Sequence, residues 1–232
     1  MNNEGIFALP ARRRLTDEAY DLIKNDVILC RLKPGADATE AGLASHYGLG
    51  LAPIRSALSR LSQEGLVNTV PRRGYIIAPV SGRTANDVFD LRVLLEPAAA
   101  RAAAGHVDEK MLRTLGAGPF LRDSAPDDLQ FLRNNRDFHV AIARASGNER
   151  MVRVIESLLD EMQRLLHIGL FSNRDRQRLL LDHELQRQQH EELIDALVAG
   201  DPKASEDAAL RHVQHSRELV MNALGNILSV TL

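Results

Sequence analysis

Alternation with a period of two occurs in one part of this chain. Val67 and Thr69, then Tyr75 and Ile77, alternate with other residues on either side of Pro71-Arg72-Arg73-Gly74. That spacing, interrupted by a Pro and Gly turn, predicts a small hairpin with a basic tip. Elsewhere the apolar residues recur at helical spacing, so the fold must hang one small β-element on a helical body. Composition agrees. Aromatic residues are 4% of the chain and Trp is absent, which argues against β-sandwiches and barrels. Ala, Leu, Arg, Glu and Gln, all better helix formers, recur throughout.

Three helices are expected before the hairpin. The first runs from about Thr16, a good N-cap, to Leu29, with Ala19, Leu22, Ile23 and Val27 at helical spacing. Leu32-Lys33-Pro34-Gly35 then breaks the chain. Thr39 caps a short second helix, and Gly48 turns the chain. The third begins near Ala52-Pro53, where a proline is tolerated in the first turn, and runs to Glu64 with Gly65 as its C′ residue. Ile54, Ala57, Leu58 and Leu61 form its buried stripe, and Ser56, Ser59, Arg60 and Gln63 lie away from it. Helix, helix, turn, helix, basic hairpin is the order of a winged helix-turn-helix, whose third helix enters the major groove.

From about Ser81 onward the pattern is helical only. Helices are expected over about 85–104, 127–146, 148–170, 175–199 and 202–224, and Gly116-Ala117-Gly118-Pro119 interrupts one begun near Asp108. Six antiparallel helices with short links make a bundle. The fold class is therefore mostly α: a winged helix-turn-helix at 10–80 with a small β-hairpin, then a six-helix antiparallel bundle at 81–232.

The net charge of -2 hides an asymmetry. Residues 51–83 hold five arginines (Arg55, Arg60, Arg72, Arg73, Arg83) and one acid, Glu64. A local excess of this kind either meets phosphate or is a solvated surface. One cysteine, Cys30, excludes an intramolecular disulfide framework and a cysteine-rich zinc module. No stretch approaches 18 uncharged apolar residues, so no membrane span is expected, and the protein is read as cytoplasmic.

Two groups of motifs carry a resemblance. Leu32-Lys33-Pro34-Gly35, Glu40, Leu43-Ala44, Pro53-Ile54-Arg55-Ser56-Ala57-Leu58, Leu61, Glu64-Gly65-Leu66-Val67 and Arg73-Gly74 resemble the DNA-binding domain of GntR-family bacterial transcription regulators. Leu91 to Ala100, Phe138-His139, Ala145-Ser146-Gly147-Asn148, and His190 with Ala196 to Asp201 resemble the helical FCD-type effector domain of its FadR branch. The resemblance covers about residues 15–220. It implies double-stranded operator DNA as a partner, a homodimer and an effector-binding helical domain. Arg55, Arg60, Arg72 and Arg73 are the expected DNA contacts. The recognition helix departs from the pattern at two positions: Ser56 stands where the family has an acid, and Leu51 where it has an arginine, and a leucine makes no bidentate bond to guanine.

Asn135 and His139 are four residues apart on one helix, His190 lies on the inward stripe of another, and His212 lies on the last. Histidines inside helical domains are commonly hydrogen-bonded core residues, and imidazole is also a common ligand for first-row metals. The resemblance implies a divalent metal, zinc or nickel, held by Asn135, His139, His190 and His212. His183 and His215 compete with His190 and His212 for these places. All four ligands are neutral, so the bound effector is expected to be a small carboxylate. Arg92 either pairs with Glu96 four residues on or grips that carboxylate. The expectation is a regulator and not an enzyme. The alternatives are a metal-dependent hydrolase or lyase, and a dimerisation or adaptor protein, which would leave the basic hairpin and the arginine helix unexplained. His183-Glu184 and His190-Glu191 each begin like a zincin motif but lack the second histidine.

Overall fold

The computed structural model describes residues 14–117, 128–172 and 176–228, and their side chains except at 128, 129, 131, 169–172, 176–183, 223 and 225–228. The chain divides into two compact units. One comprises the described residues up to Val27 with Arg31–Pro79, and the other Ile28–Cys30 with the described residues from Val80 onward.

The first unit contains α1 (Leu15–Ile28), β1 (Asp37–Ala38), α2 (Glu40–Tyr47), α3 (Leu51–Gln63), β2 (Val67–Val70) and β3 (Gly74–Ile77). Helix α1 starts one residue before the expected cap. The Arg14 carbonyl accepts from the N–H groups of Asp17 and Glu18 at 2.9 and 3.1 Å, so Thr16 lies within the first turn. The Thr39 hydroxyl caps α2 by accepting from Gly42 N–H, and Gly48 ends it in the left-handed region. The sheet has three strands in the order β1-β3-β2, all antiparallel, with Asp37 opposite Ile76 and Val67 opposite Ile77. β1 is an addition to the expected hairpin. It is two residues long, too short to leave a period, and forms because β3 offers it a free edge.

Ile54, Ala57, Leu58 and Leu61 of α3 pack with Ala19, Ile23 and Val27 of α1 and with Leu66, Val67 and Ile77. Fully burying a large aliphatic side chain is worth about 1.5–3 kcal/mol. That burial fixes the rotation of α3 and leaves Leu51, Arg55, Ser56, Ser59, Arg60 and Gln63 facing outward.

Among the described residues the second unit is six helices: α4 (Gly82–Ala103), α5 (Glu109–Ala117), α6 (Asp128–Ala145), α7 (Glu149–Ser172), α8 (Arg176–Val198) and α9 (Pro202–Leu228). Helix α4 starts at Gly82 rather than Ala85 because the Ser81 hydroxyl accepts from Thr84 N–H. The Asn148 side chain caps α7 through Arg150 and Met151 N–H, and Asp201 caps α9 through Lys203 and Ala204 N–H. Helices α4 and α9 run antiparallel. Arg101 pairs with Glu206 toward one end, and Arg217 reaches Asp90 and Asn86 toward the other.

Gly116 is helical and does not interrupt α5; Gly118 and Pro119 lie outside the described residues. A Cβ on Gly116 would stand 3.2 Å from Ile194 Cδ1 and 3.5 Å from His190 Cβ. The missing side chain is what lets α5 lie against α8. Phe138, Leu193, Ile194 and Leu197 close an apolar cluster around this contact.

Candidate functional site

The four expected DNA arginines all sit on the exterior of the first unit, three of them beside an acid. Arg55 makes a two-pronged pair with Glu40, its Nη2 at 2.7 Å from Oε2. Arg60 lies 3.6 Å over the Tyr20 ring with Glu64 3.4 Å from its Nε. Arg73 reaches Asp37 at 3.1 Å. Among the described residues Arg72 has no ion pair. Arg72 also holds φ at 65°, a left-handed conformation that costs an L-residue about 1–2 kcal/mol. Leu51, the first residue of α3, is exposed.

Inside the second unit, His139 of α6, His190 of α8 and His212 of α9 come together. All three are buried, and their ligand nitrogens lie within 4.8 Å of one another. His139 and His212 stack with ring centres 5.0 Å apart, and Phe138 stacks on His190 at 4.1 Å.

Each ring has its Nδ1 turned onto an oxygen. His139 Nδ1 is 2.8 Å from Glu96 Oε2. His190 Nδ1 is 3.4 Å from the Gly116 carbonyl, and His212 Nδ1 is 3.2 Å from Gln189 Oε1. A carboxylate, a carbonyl and an amide oxygen only accept, so each Nδ1 donates. In a neutral ring that leaves the lone pair on Nε2. The Nε2 atoms of His139 and His212 are 3.2 Å apart, and His190 Nε2 is buried with no partner among the described residues. Lone pairs facing each other in a buried interior call for a proton, a water or a cation between them.

The donors fit a metal. Bonds of about 2.0–2.1 Å from one ion place two nitrogens about 2.8–3.4 Å apart, across octahedral and tetrahedral angles, and the 3.2 Å between His139 and His212 Nε2 lies in that range. Outer oxygens that orient ligand imidazoles are the usual second layer of such sites. Burial, then the neighbouring His139, pushes His190 down to about 3, and burial with the charges around it pushes His212 down as well. Both rings are therefore neutral at pH 7, as ligands must be.

Asn135 is buried one turn before His139 on α6, with its Oδ1 accepting from Gln186 Nε2 at 3.2 Å. His215 Nε2 is buried without a partner among the described residues, and His183 lies outside the described side chains.

Arg92 is 1% exposed. Its Nε donates to Glu96 Oε1 at 2.5 Å, and its Nη1 is buried with no acceptor among the described residues. The two readings of Arg92 thus describe different atoms of one side chain. Burial raises the Glu96 carboxyl, but Arg92 and then His139 outweigh it and hold the group at about 2. Glu96, Gly116, Gln186 and Gln189 were not singled out as site residues from the sequence. A cavity of ≈ 10 Å³ beside His139, His212 and Glu96 is lined otherwise by small and aliphatic side chains such as Ala99, Ala143 and Ala209. It has room for about one water.

Two family models match the chain. The FCD domain covers residues 87–215, and the model for bacterial regulatory proteins of the gntR family covers residues 15–77. The chain belongs to the GntR family, in its FCD-bearing FadR branch. Among its GntR-type relatives is the HTH-type transcriptional repressor GlaR of Escherichia coli K12, 28% identical over 217 residues, 89% of this chain and 96% of that one. The Nta operon transcriptional regulator of Aminobacter aminovorans is 26% identical over 196 residues, 83% and 88% of the two chains. The fold is that of E. coli McbR/YncC, with a TM-score of 0.77 at 24% identity over 90% of this chain and 98% of that one. A GntR regulator from Rhodococcus sp. RHA1, described as putative, has a TM-score of 0.71 at 18% identity over 89% and 97%. As a GntR regulator, this chain carries a helix-turn-helix domain for operator DNA and an FCD domain. No helix among the described residues is long and apolar enough to cross a membrane.

Proposed function

We propose that the FCD domain holds a divalent metal, zinc or nickel, on His139, His190 and His212, with Asn135 one turn from His139 as a fourth ligand. A small carboxylate effector binds there and sets the affinity of a homodimer for operator DNA. The observation that carries this reading is the set of three Nδ1 atoms, each committed to an oxygen, which leaves the Nε2 atoms of His139 and His212 facing each other at 3.2 Å and His190 Nε2 buried with no partner among the described residues, in a cluster whose ligand nitrogens lie within 4.8 Å of one another.

The ligand set is neutral, so a bound divalent ion would bring a charge of about +2 into a low-dielectric interior. When bound, the ion supplies a Lewis acid that takes carboxylate oxygens. Arg92 Nη1, buried beside this layer, supplies a second anion-binding group that donates along a fixed direction. A carboxylate satisfies both. The cavity by the histidines holds about one water, so the effector enters by displacing side chains around it. An effector that binds one state of the domain better shifts the population toward it, and operator affinity follows.

On the DNA side, the outward face of α3 and the hairpin tip present Arg55, Arg60, Arg72 and Arg73 to the duplex. The protein acts in the cytoplasm, where operator DNA lies. Its relatives GlaR and the Nta operon regulator are named for regulation, which supports a binding role over a catalytic one.

His190→Ala tests the reading. Metal content and calorimetric titration with small hydroxy- and dicarboxylates are measured on the variant and the wild type. Metal and carboxylate affinity are expected to fall together, with DNA binding of the ligand-free protein retained. Carboxylate binding at full strength without metal would place the effector elsewhere.

A further inference from the structure

The outer partners of the three histidines differ in one respect. His190 leans on a main-chain carbonyl and His212 on a side-chain amide, both neutral. His139 leans on Glu96, a carboxylate 6% exposed. Glu96 is the one anion among the described groups that hydrogen-bond the three rings. Its two oxygens are divided, with Oε1 taking Arg92 Nε at 2.5 Å and Oε2 taking His139 Nδ1 at 2.8 Å. The result is a continuous buried line from Arg92 through Glu96 to His139 and on to His212 Nε2, 3.2 Å away.

This line has chemical consequences. A carboxylate on Nδ1–H makes the imidazole a stronger donor at Nε2 and holds its plane. It also brings one negative charge to a layer whose other ring partners are neutral. Glu96 has no freedom to turn away, because Arg92 fixes its other oxygen.

Resting on the metal reading above, we infer that Glu96 is the positioning residue of the metal site, holding His139 as its Nδ1–H donor form with Nε2 free to bind the ion. Arg92 Nε clamps Glu96, and its buried Nη1 has no acceptor among the described residues. The alternative role for Glu96 is structural, as counter-ion to a buried arginine with no bearing on metal.

The two roles separate in a pair of variants titrated with zinc alone against a chelating indicator. Glu96→Gln removes the charge but leaves Arg92 unpaired in the core, which destabilises the fold. Arg92→Met with Glu96→Gln leaves no unpaired ion, so it folds even where the single variant does not, and circular dichroism checks this. Both variants are expected to lose about 10–100-fold in zinc affinity. Proton–nitrogen spectra of the metal-free double variant should show the His139 ring losing its single Nδ1–H form. Wild-type zinc affinity in the double variant would overturn the inference, since it would make Glu96 only the partner of Arg92. Failure of the wild-type protein to bind zinc would overturn the metal reading itself, and this inference with it.

Discussion

Removing Asp37 should tighten DNA binding. Three of the four candidate arginines already have an acid beside them. An arginine must leave that acid, or carry it along, to neutralise a phosphate. For the proposed dimer, eight free arginines would give a slope of log K against log salt of about -7. If only the two copies of Arg72 act as free cations, the slope is about -2. Wild type should fall between these limits. The Arg73–Asp37 pair is the easiest to break, because both side chains are more than half exposed, and such pairs are worth about 0–1 kcal/mol. Asp37→Asn spares that cost in each subunit. It should tighten binding at low salt by up to about 30-fold for a dimer and steepen the slope by up to about 2. The gain should fade as salt rises. Fluorescence anisotropy with a labelled genomic fragment over 50–200 mM salt reads both quantities. An unchanged slope and affinity in Asp37→Asn, or a wild-type slope near zero, would refute the placement of Arg73 at the phosphates.

Three more expectations follow from named residues. Leu51→Arg should tighten binding to guanine-containing half-sites by about 1–3 kcal/mol, and an unchanged profile in a binding-site selection would mean that position 51 does not face the bases. Arg72→Gly should relieve a left-handed residue while losing a free cation, so denaturant stability holds or rises by up to about 1 kcal/mol while affinity falls for all sequences alike. In metal-free protein, acid should erode stability through His190. Its pKa is about 3 folded against 6.5 as a free side chain, so the unfolded chain binds the extra proton between those values. Stability should then fall as pH drops through that window, by up to about 1.4 kcal/mol per pH unit for this one group, and urea melts that stay level from pH 6.5 to 4 would contradict it.

What could be read from the sequence was local. Thr39, Asn148 and Asp201 act as caps because a short polar side chain at a helix start has few other things to do. The stripe of α3 is buried as its spacing requires. Thr16 misled because a plain Arg14 carbonyl starts α1 one residue early. Gly116 misled because a helical glycine and a turn glycine look alike in sequence, and only packing against Ile194 and His190 tells them apart. The three histidines were legible as residues on inward stripes. Their outer partners were not: Glu96 is 43 residues from His139, and Gly116 is 74 from His190. Spacing along a helix says nothing about oxygens that arrive from other helices. The same holds for Asp37, which meets Arg73 across 36 residues by way of a strand too short to predict.

Metal binding by the three Nε2 atoms is the claim on which the rest stands. Zinc titrated into metal-free protein with selectively nitrogen-15-labelled histidine tests it directly. One equivalent per chain should bind, and the Nε2 resonances of His139, His190 and His212 should move together while their Nδ1–H signals persist. Absence of tight binding, or shifts confined to exposed histidines such as His46 and His106, would contradict the account.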